Sequence, residues 1–227
     1  MLLIPISDIN PRERFPLINY ILIAANIAAF VLTIDLPMEF LRRWALVPAD
    51  ARPLTFITSM FLHAGLAHLG ANMLFLWVAG DNIEDRCGKA LYLAFYLGAG
   101  IIAGAVHALT VTQAGASIPT VGASGAISGV LGAYVILFPW ARIRCFYWVI
   151  VVAGLVTMPS WVFIGIWFGF QLLAVTALEQ EGVGGVAYWA HIGGFAFGVG
   201  SMLLFRMLGL VRPGRRALAS GSDELLP

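Results

Sequence analysis

Gly122-Ala123-Ser124-Gly125-Ala126-Ile127-Ser128-Gly129-Val130-Leu131-Gly132-Ala133-Tyr134-Val135-Ile136-Leu137-Phe138 reads as a membrane span that opens on a serine and carries glycines along one stripe. A polar or ionisable side chain inside hydrocarbon costs a few kcal/mol, so such residues are candidates for function and their partners are to be sought. Downstream stands His191, in Ala190-His191-Ile192-Gly193-Gly194; upstream stand His68 and Asn72, one helical turn apart. Together the four describe a hydrolase buried in a membrane.

Composition agrees on the class. Hydrophobic residues make up 60% of the 227 and charged residues 11%, against ~45–50% and ~25% in a soluble domain. Runs near the length a helix needs to cross the bilayer core fall at Leu17–Leu36, Leu66–Val78, Ala90–Val111, Ser124–Phe138, Pro159–Leu178 and Tyr188–Gly209. The second and fourth are short, which implies completion by flanking residues or burial among other helices. Cys145–Met158 is apolar but suits an interfacial or re-entrant segment better than a seventh crossing.

Charge placement orients the spans, because cytoplasmic loops carry the excess of Lys and Arg. Six spans with a cytoplasmic start put ten of the 13 basic residues inside and leave only Arg42, Arg43 and Arg52 outside. A seventh span would move four C-terminal arginines outward and break the pattern. The expected organisation is an all-α bundle of six transmembrane helices over residues 17–209, with a cytoplasmic N-terminal segment, 1–16, and a disordered cytoplasmic tail, 210–227. No cleavable signal peptide is expected, since Asp8, Pro11, Arg12, Glu13 and Arg14 precede the first apolar run. Cys87 and Cys145 fall on the reducing side and offer no disulfide framework.

Absences narrow the chemistry. No Asp or Glu occurs between Asp85 and Glu179. A membrane aspartyl protease needs two carboxyl groups sharing a site, and a proton-coupled carrier usually needs an acid at depth. His-Glu-x-x-His is missing, and the close pair His63 and His68 lacks zinc-protease spacing. No metal, cofactor or nucleic-acid partner is expected. What remains is a serine hydroxyl activated by an imidazole, with His191 taking the Ser124 proton. Without a buried acid to orient the ring, a dyad is expected, with packing holding the imidazole.

Gly125-x-x-x-Gly129 and Gly194-x-x-x-Gly198 are small-residue stripes of the kind that let two membrane helices approach closely. Among 25 glycines one such match is weak evidence; two beside two polar candidates carry more. If the stripes face each other, Ser124 and His191 meet at one depth. His68 and Asn72, at i and i+4, share a helix face and, with the Ser124 backbone N–H, can stabilise an oxyanion. Their plainer role is as glue between helices.

At this point the chain resembles the rhomboid family of intramembrane serine proteases, in its bacterial six-span form. The resemblance rests on Leu54-Thr55-Phe56-Ile57-Thr58-Ser59-Met60-Phe61-Leu62-His63, His68-x-x-x-Asn72, Gly80-Asp81-Asn82-Ile83-Glu84-Asp85-Arg86, Gly122-Ala123-Ser124-Gly125 and Ala190-His191-Ile192-Gly193-Gly194. It implies Ser124 as nucleophile, His191 as base, and His68, Asn72 and Gly122 on the oxyanion and substrate-binding side. It further implies cleavage of other proteins' transmembrane segments, in a multi-pass cell membrane such as a bacterial inner membrane. A catalytically silent relative that only binds transmembrane helices is the alternative. Many bacterial members carry an aromatic residue four positions after the nucleophile, where this chain has Ser128, so a less firmly held imidazole is expected.

Lesser expectations follow. Arg42, Arg43 and Trp44 suit an amphipathic loop at the interface. Thr112–Ala123 is expected to dip inward and line a polar cavity, and Glu179–Val186 to cap the site. The aromatics of the fifth span, Trp161, Phe163, Trp167, Phe168 and Phe170, are candidates for a side gate. Asn26, His107 and Gln171 read as helix-to-helix bonding groups, His63 as structural support, and Glu84 and Arg86 as loop-ordering ion pairs.

Overall fold

In lipid every backbone N–H and C=O must find its partner within the protein, which leaves helices as the spanning form for apolar runs like these. The computed structural model, which describes residues 2–178 and 186–212, is a helical membrane bundle. Its elements are β1 (Leu2–Ile9), α1 (Leu17–Thr33), α2 (Met38–Trp44), α3 (Thr55–Thr58), α4 (Leu66–Cys87), α5 (Lys89–Thr110), α6 (Ser124–Leu137), β2 (Arg142–Val149), β3 (Val152–Pro159), α7 (Ser160–Leu178) and α8 (Tyr188–Met207). The expected tail from residue 213 onward, and residues 179–185 of the expected capping loop, lie outside the described residues.

Each of the six apolar runs is a helix. By length and composition α5 and α8 are long and apolar enough to cross a membrane, and Thr55–Phe61 and α4 pass the same measure together, with a 97° bend between them. Leu17–Thr33, Ser124–Leu137 and Ser160–Val175 are apolar but shorter. α4 continues past Val78 to Cys87, so flanking residues do complete the second run. α6 is short because it is enclosed: Gly125 through Tyr134 are all buried. Outward-facing residues such as Leu32, Ile102, Phe170 and Leu204 are exposed, as a surface facing hydrocarbon requires.

At the end of α4 remote from His68, its acidic residues bind the N-terminal segment. Asp81 pairs with Arg12 at 2.6 Å, and Asp85 accepts the Glu13 backbone N–H at 3.2 Å. Glu84 accepts the N–H groups of Ile18 and Asn19 at 3.1 and 2.8 Å. Read from sequence as half of an ion pair, Glu84 therefore caps α1: it satisfies donors that have no partner inside the helix and sets negative charge at the positive end of the helix dipole. Arg86 lies over the Phe138 ring, 5.5 Å from its centroid.

A three-stranded antiparallel sheet, ordered β1-β2-β3, is the addition to the helical reading. Cys145–Met158 is neither re-entrant nor a crossing; it is most of a β-hairpin, with Val149 paired to Val152 next to the turn. β1, inside the expected N-terminal segment, pairs along the other edge of β2. The cue was the β-branched and aromatic run Tyr147-Trp148-Val149-Ile150-Val151-Val152, whose residues favour strands. Ile143 and Cys145 turn into the core, and burial pushes the Cys145 thiol up to about 11.

Candidate active site

α6 and α8 are held together by backbone. A Cβ added to Gly194 would land on the Gly125 carbonyl oxygen, and one on Gly198 on the Gly129 carbonyl oxygen; one on Gly129 would come to 3.2 Å from the Gly194 oxygen. The two stripes therefore face each other, as their spacing predicts. Small residues permit this approach, where dispersion and Cα–H···O contacts replace side-chain packing. Because Ser124 opens α6 and His191 lies in the first turn of α8, the seam sets both at one end of the same contact.

That end is a cavity of about 680 Å³, lined by Ser124, His191, His68 and Asn72. Sequence reasoning names these four, and the fold brings them together from three helices. Ser124 is half-buried and His191 is 9% exposed. Among the described residues no hydrogen bond joins the Ser124 hydroxyl to His191. Catalytic hydrogen bonds in an unliganded site are often long and tighten only in the substrate complex.

Gly122 explains how the upstream pair reaches the serine. Its φ of +121° is a conformation that favours glycine. A Cβ there would also lie 2.7 Å from both Cε1 and Nε2 of His68, and 3.5 Å from Asn72 Nδ2. His68 and Asn72 thus crowd the backbone two residues before Ser124, whose own N–H is among the free donors of a helix start. Among the described residues the buried Asn72 amide nitrogen has no hydrogen-bond partner. The His63 ring packs edge-on against His68 at 5.1 Å between centroids, which fits support rather than chemistry.

Two residues that sequence reasoning set aside stand in the site. Gln171 on α7 places Oε1 2.7 Å from Nδ1 of His191, so the expectation that packing alone holds the ring is corrected. The Trp167 and Tyr188 rings flank the imidazole at 6.0 and 6.4 Å. His107 lines the cavity, its Nε2 3.0 Å from Thr120 Oγ1. A signal for Gln171 was present: it follows Trp167 by four residues, on the same helix face, and an amide at depth needs a partner. Asn26 bonds back to Leu22 O in its own helix, at 2.8 Å, and also interacts with the Tyr96 hydroxyl on α5.

Among the described residues Ser128 makes no hydrogen bond to His191. Wholly buried, it donates to the Ser124 carbonyl at 2.6 Å, leaving support of the ring to Gln171. The Thr112–Ala123 segment lines the cavity as expected, through Thr112, Gly115, Ile118, Pro119, Thr120 and Val121. It is pinned by pairing of Leu46 with Thr120 and by the Gly122 N–H on Ser59 O at 2.9 Å. Of the side-gate aromatics, Trp167 lines the cavity and Phe163 stacks on Phe75 at 6.1 Å. Arg43 lies 5.9 Å from the Trp44 ring centroid on the exposed α2. No three His, Cys, Asp or Glu side chains group as metal ligands among the described residues.

Residues 50–208 match the family model described as Rhomboid domain. Over 191 residues the chain is 34% identical to "Rhomboid protein 1, mitochondrial" of Saccharomyces cerevisiae, covering 79% of this chain and 51% of the relative. It is 30% identical over 189 residues to "Presenilin-associated rhomboid-like protein, mitochondrial" of Homo sapiens, covering 78% and 45%. "Rhomboid protease GluP" of Bacillus subtilis is 32% identical over 158 residues, covering 70% and 26%. The chain thus spans about half, or less, of the length of the curated relatives it matches.

Proposed function

The chain belongs to the rhomboid family, and on that premise we propose that it is an intramembrane serine endopeptidase acting on transmembrane segments of other proteins. One observation carries the reading: Ser124, His191, His68 and Asn72, far apart in sequence, line a single cavity at the head of a glycine seam. A relative named as a protease adds support.

In this reading the Ser124 hydroxyl attacks a substrate carbonyl carbon as its proton passes to Nε2 of His191. The carbonyl oxygen becomes an oxyanion and takes hydrogen bonds from Asn72, His68 and the Ser124 N–H. Collapse breaks the C–N bond, and the proton on His191 leaves with the amine. Water then attacks the acyl-enzyme, again giving its proton to His191, and Ser124 is restored. An intact substrate helix hides its carbonyls in backbone hydrogen bonds, so segments containing Gly or other weak helix formers are preferred. In this reading α7, whose Trp167 lines the cavity, faces the entering substrate helix.

The bias of basic residues supports six crossings with both ends on the cytoplasmic side, and the address proposed is a bacterial inner membrane. The mitochondrial names of several relatives make an organellar membrane the competing address, which fractionation of the source cells resolves. Folded Ser124→Ala and His191→Ala proteins are expected to lose essentially all cleavage of a detergent-solubilised helical substrate. Retained cleavage in either sinks the assignment. The rival reading, a silent helix binder, predicts that wild type resists a serine-directed fluorophosphonate, whereas the protease is labelled and Ser124→Ala is not.

A further inference from the structure

We propose that Gln171 is the positioning residue of His191, holding its imidazole as the Nδ1–H tautomer so that Nε2 keeps a lone pair for the Ser124 hydroxyl. The inference rests on the protease reading and deepens it.

The geometry is specific about which atom does what. Gln171 is buried, at 7% exposure, and its Nε2 donates to the Trp167 carbonyl one turn back, at 3.4 Å. That bond occupies the donor end of the carboxamide and leaves Oε1 facing the ring at 2.7 Å. An amide oxygen only accepts, so the proton between the two atoms belongs to Nδ1. Neutral imidazole carries one N–H, and placing it on Nδ1 makes Nε2 the basic nitrogen. The bond crosses from α7 to α8 and so ties the ring to the neighbouring helix.

The choice of an amide follows from the setting. The sequence places no Asp or Glu between Asp85 and Glu179, and an ionised carboxylate buried beside the site would carry a large desolvation cost. A neutral acceptor orients the ring without that cost. It also stabilises the imidazolium less than a carboxylate does, which sets the pH range over which the base is free.

The test compares wild type, Gln171→Met, Gln171→Glu and Ser124→Ala, reading fluorophosphonate labelling rate and substrate cleavage from pH 5 to pH 9, with detergent melting temperature alongside. Gln171→Met keeps the volume and removes the acceptor: kcat and labelling rate are expected to fall roughly 10–100-fold with little change in KM. Gln171→Glu restores much of the rate at high pH and moves the acid limb of the profile upward by about one pH unit, because an adjacent carboxylate favours the protonated ring. Labelling of Gln171→Met at the wild-type rate overturns the inference alone. So does an unmoved acid limb in Gln171→Glu with rate and melting temperature falling together, the pattern of simple helix glue. A wild type that is neither labelled nor active overturns the protease reading itself.

Discussion

At the scale of single residues the site is notable for a donor left waiting. Asn72 Nδ2 is buried without a hydrogen-bond partner among the described residues, an arrangement that costs stability in the resting state. Asn72→Ala is therefore expected to separate two quantities that usually fall together. Cleavage should drop by about 10²–10³ in kcat, the loss measured for one oxyanion donor in other acyl-transfer enzymes, while the detergent melting temperature holds or rises. A parallel loss of both would make Asn72 structural. Ser124, His191, His68 and Asn72 were legible in the sequence because polar side chains at depth are rare enough to be informative. Gln171 was legible as costly but not as a partner of His191: the two are 20 positions apart on different helices, and only the α7–α8 packing reveals which ring it meets.

Between elements, the deciding contact is α6 on α8. Gly194→Ala would drive a methyl group into the Gly125 carbonyl, so the helices must separate, and a displacement of about 1 Å can cost 10²-fold in rate. A large loss of cleavage is expected, with a lower melting temperature. Gly200→Ala on the same helix, where an added Cβ meets nothing within 4 Å, should leave both unchanged. Equal behaviour of the two variants in cleavage and melting assays would show that the seam does not set the geometry of the site. The seam was readable from spacing because a four-residue repeat of glycine is itself the helical period. The hairpin at 142–159 was not, since Cys145–Met158 was judged by apolar length, and length alone does not distinguish a strand pair from a re-entrant segment. Pairing with β1, more than 130 residues earlier in the chain, is a long-range event that no local pattern announces.

Across the whole molecule, the candidate cavity and the charged network sit at opposite ends of α4, so a titration at one end is expected to leave the other unaffected. Asp8 on β1 accepts from Tyr134 at 2.5 Å and from Asn82 at 2.7 Å. Burial first, and then the nearby Asp81, raise its carboxyl to about 6 from 3.8. The folded state thus holds this proton where the unfolded chain has released it, and Asp8 contributes stability that declines as pH rises from about 4 through 6. Melting curves in detergent should carry that slope, and Asp8→Asn should flatten it without altering the pH profile of cleavage. A slope unchanged by the substitution would assign it to other groups.

The distance between Ser124 and His191 is thus written in main chain, with the carbonyls of Gly125 and Gly129 serving as the gauge. Main-chain dimensions do not vary with the identity of neighbouring side chains. A lineage can consequently redraw the greasy exterior to suit a thicker or thinner bilayer, or a different guest helix, and keep the same reach from hydroxyl to ring.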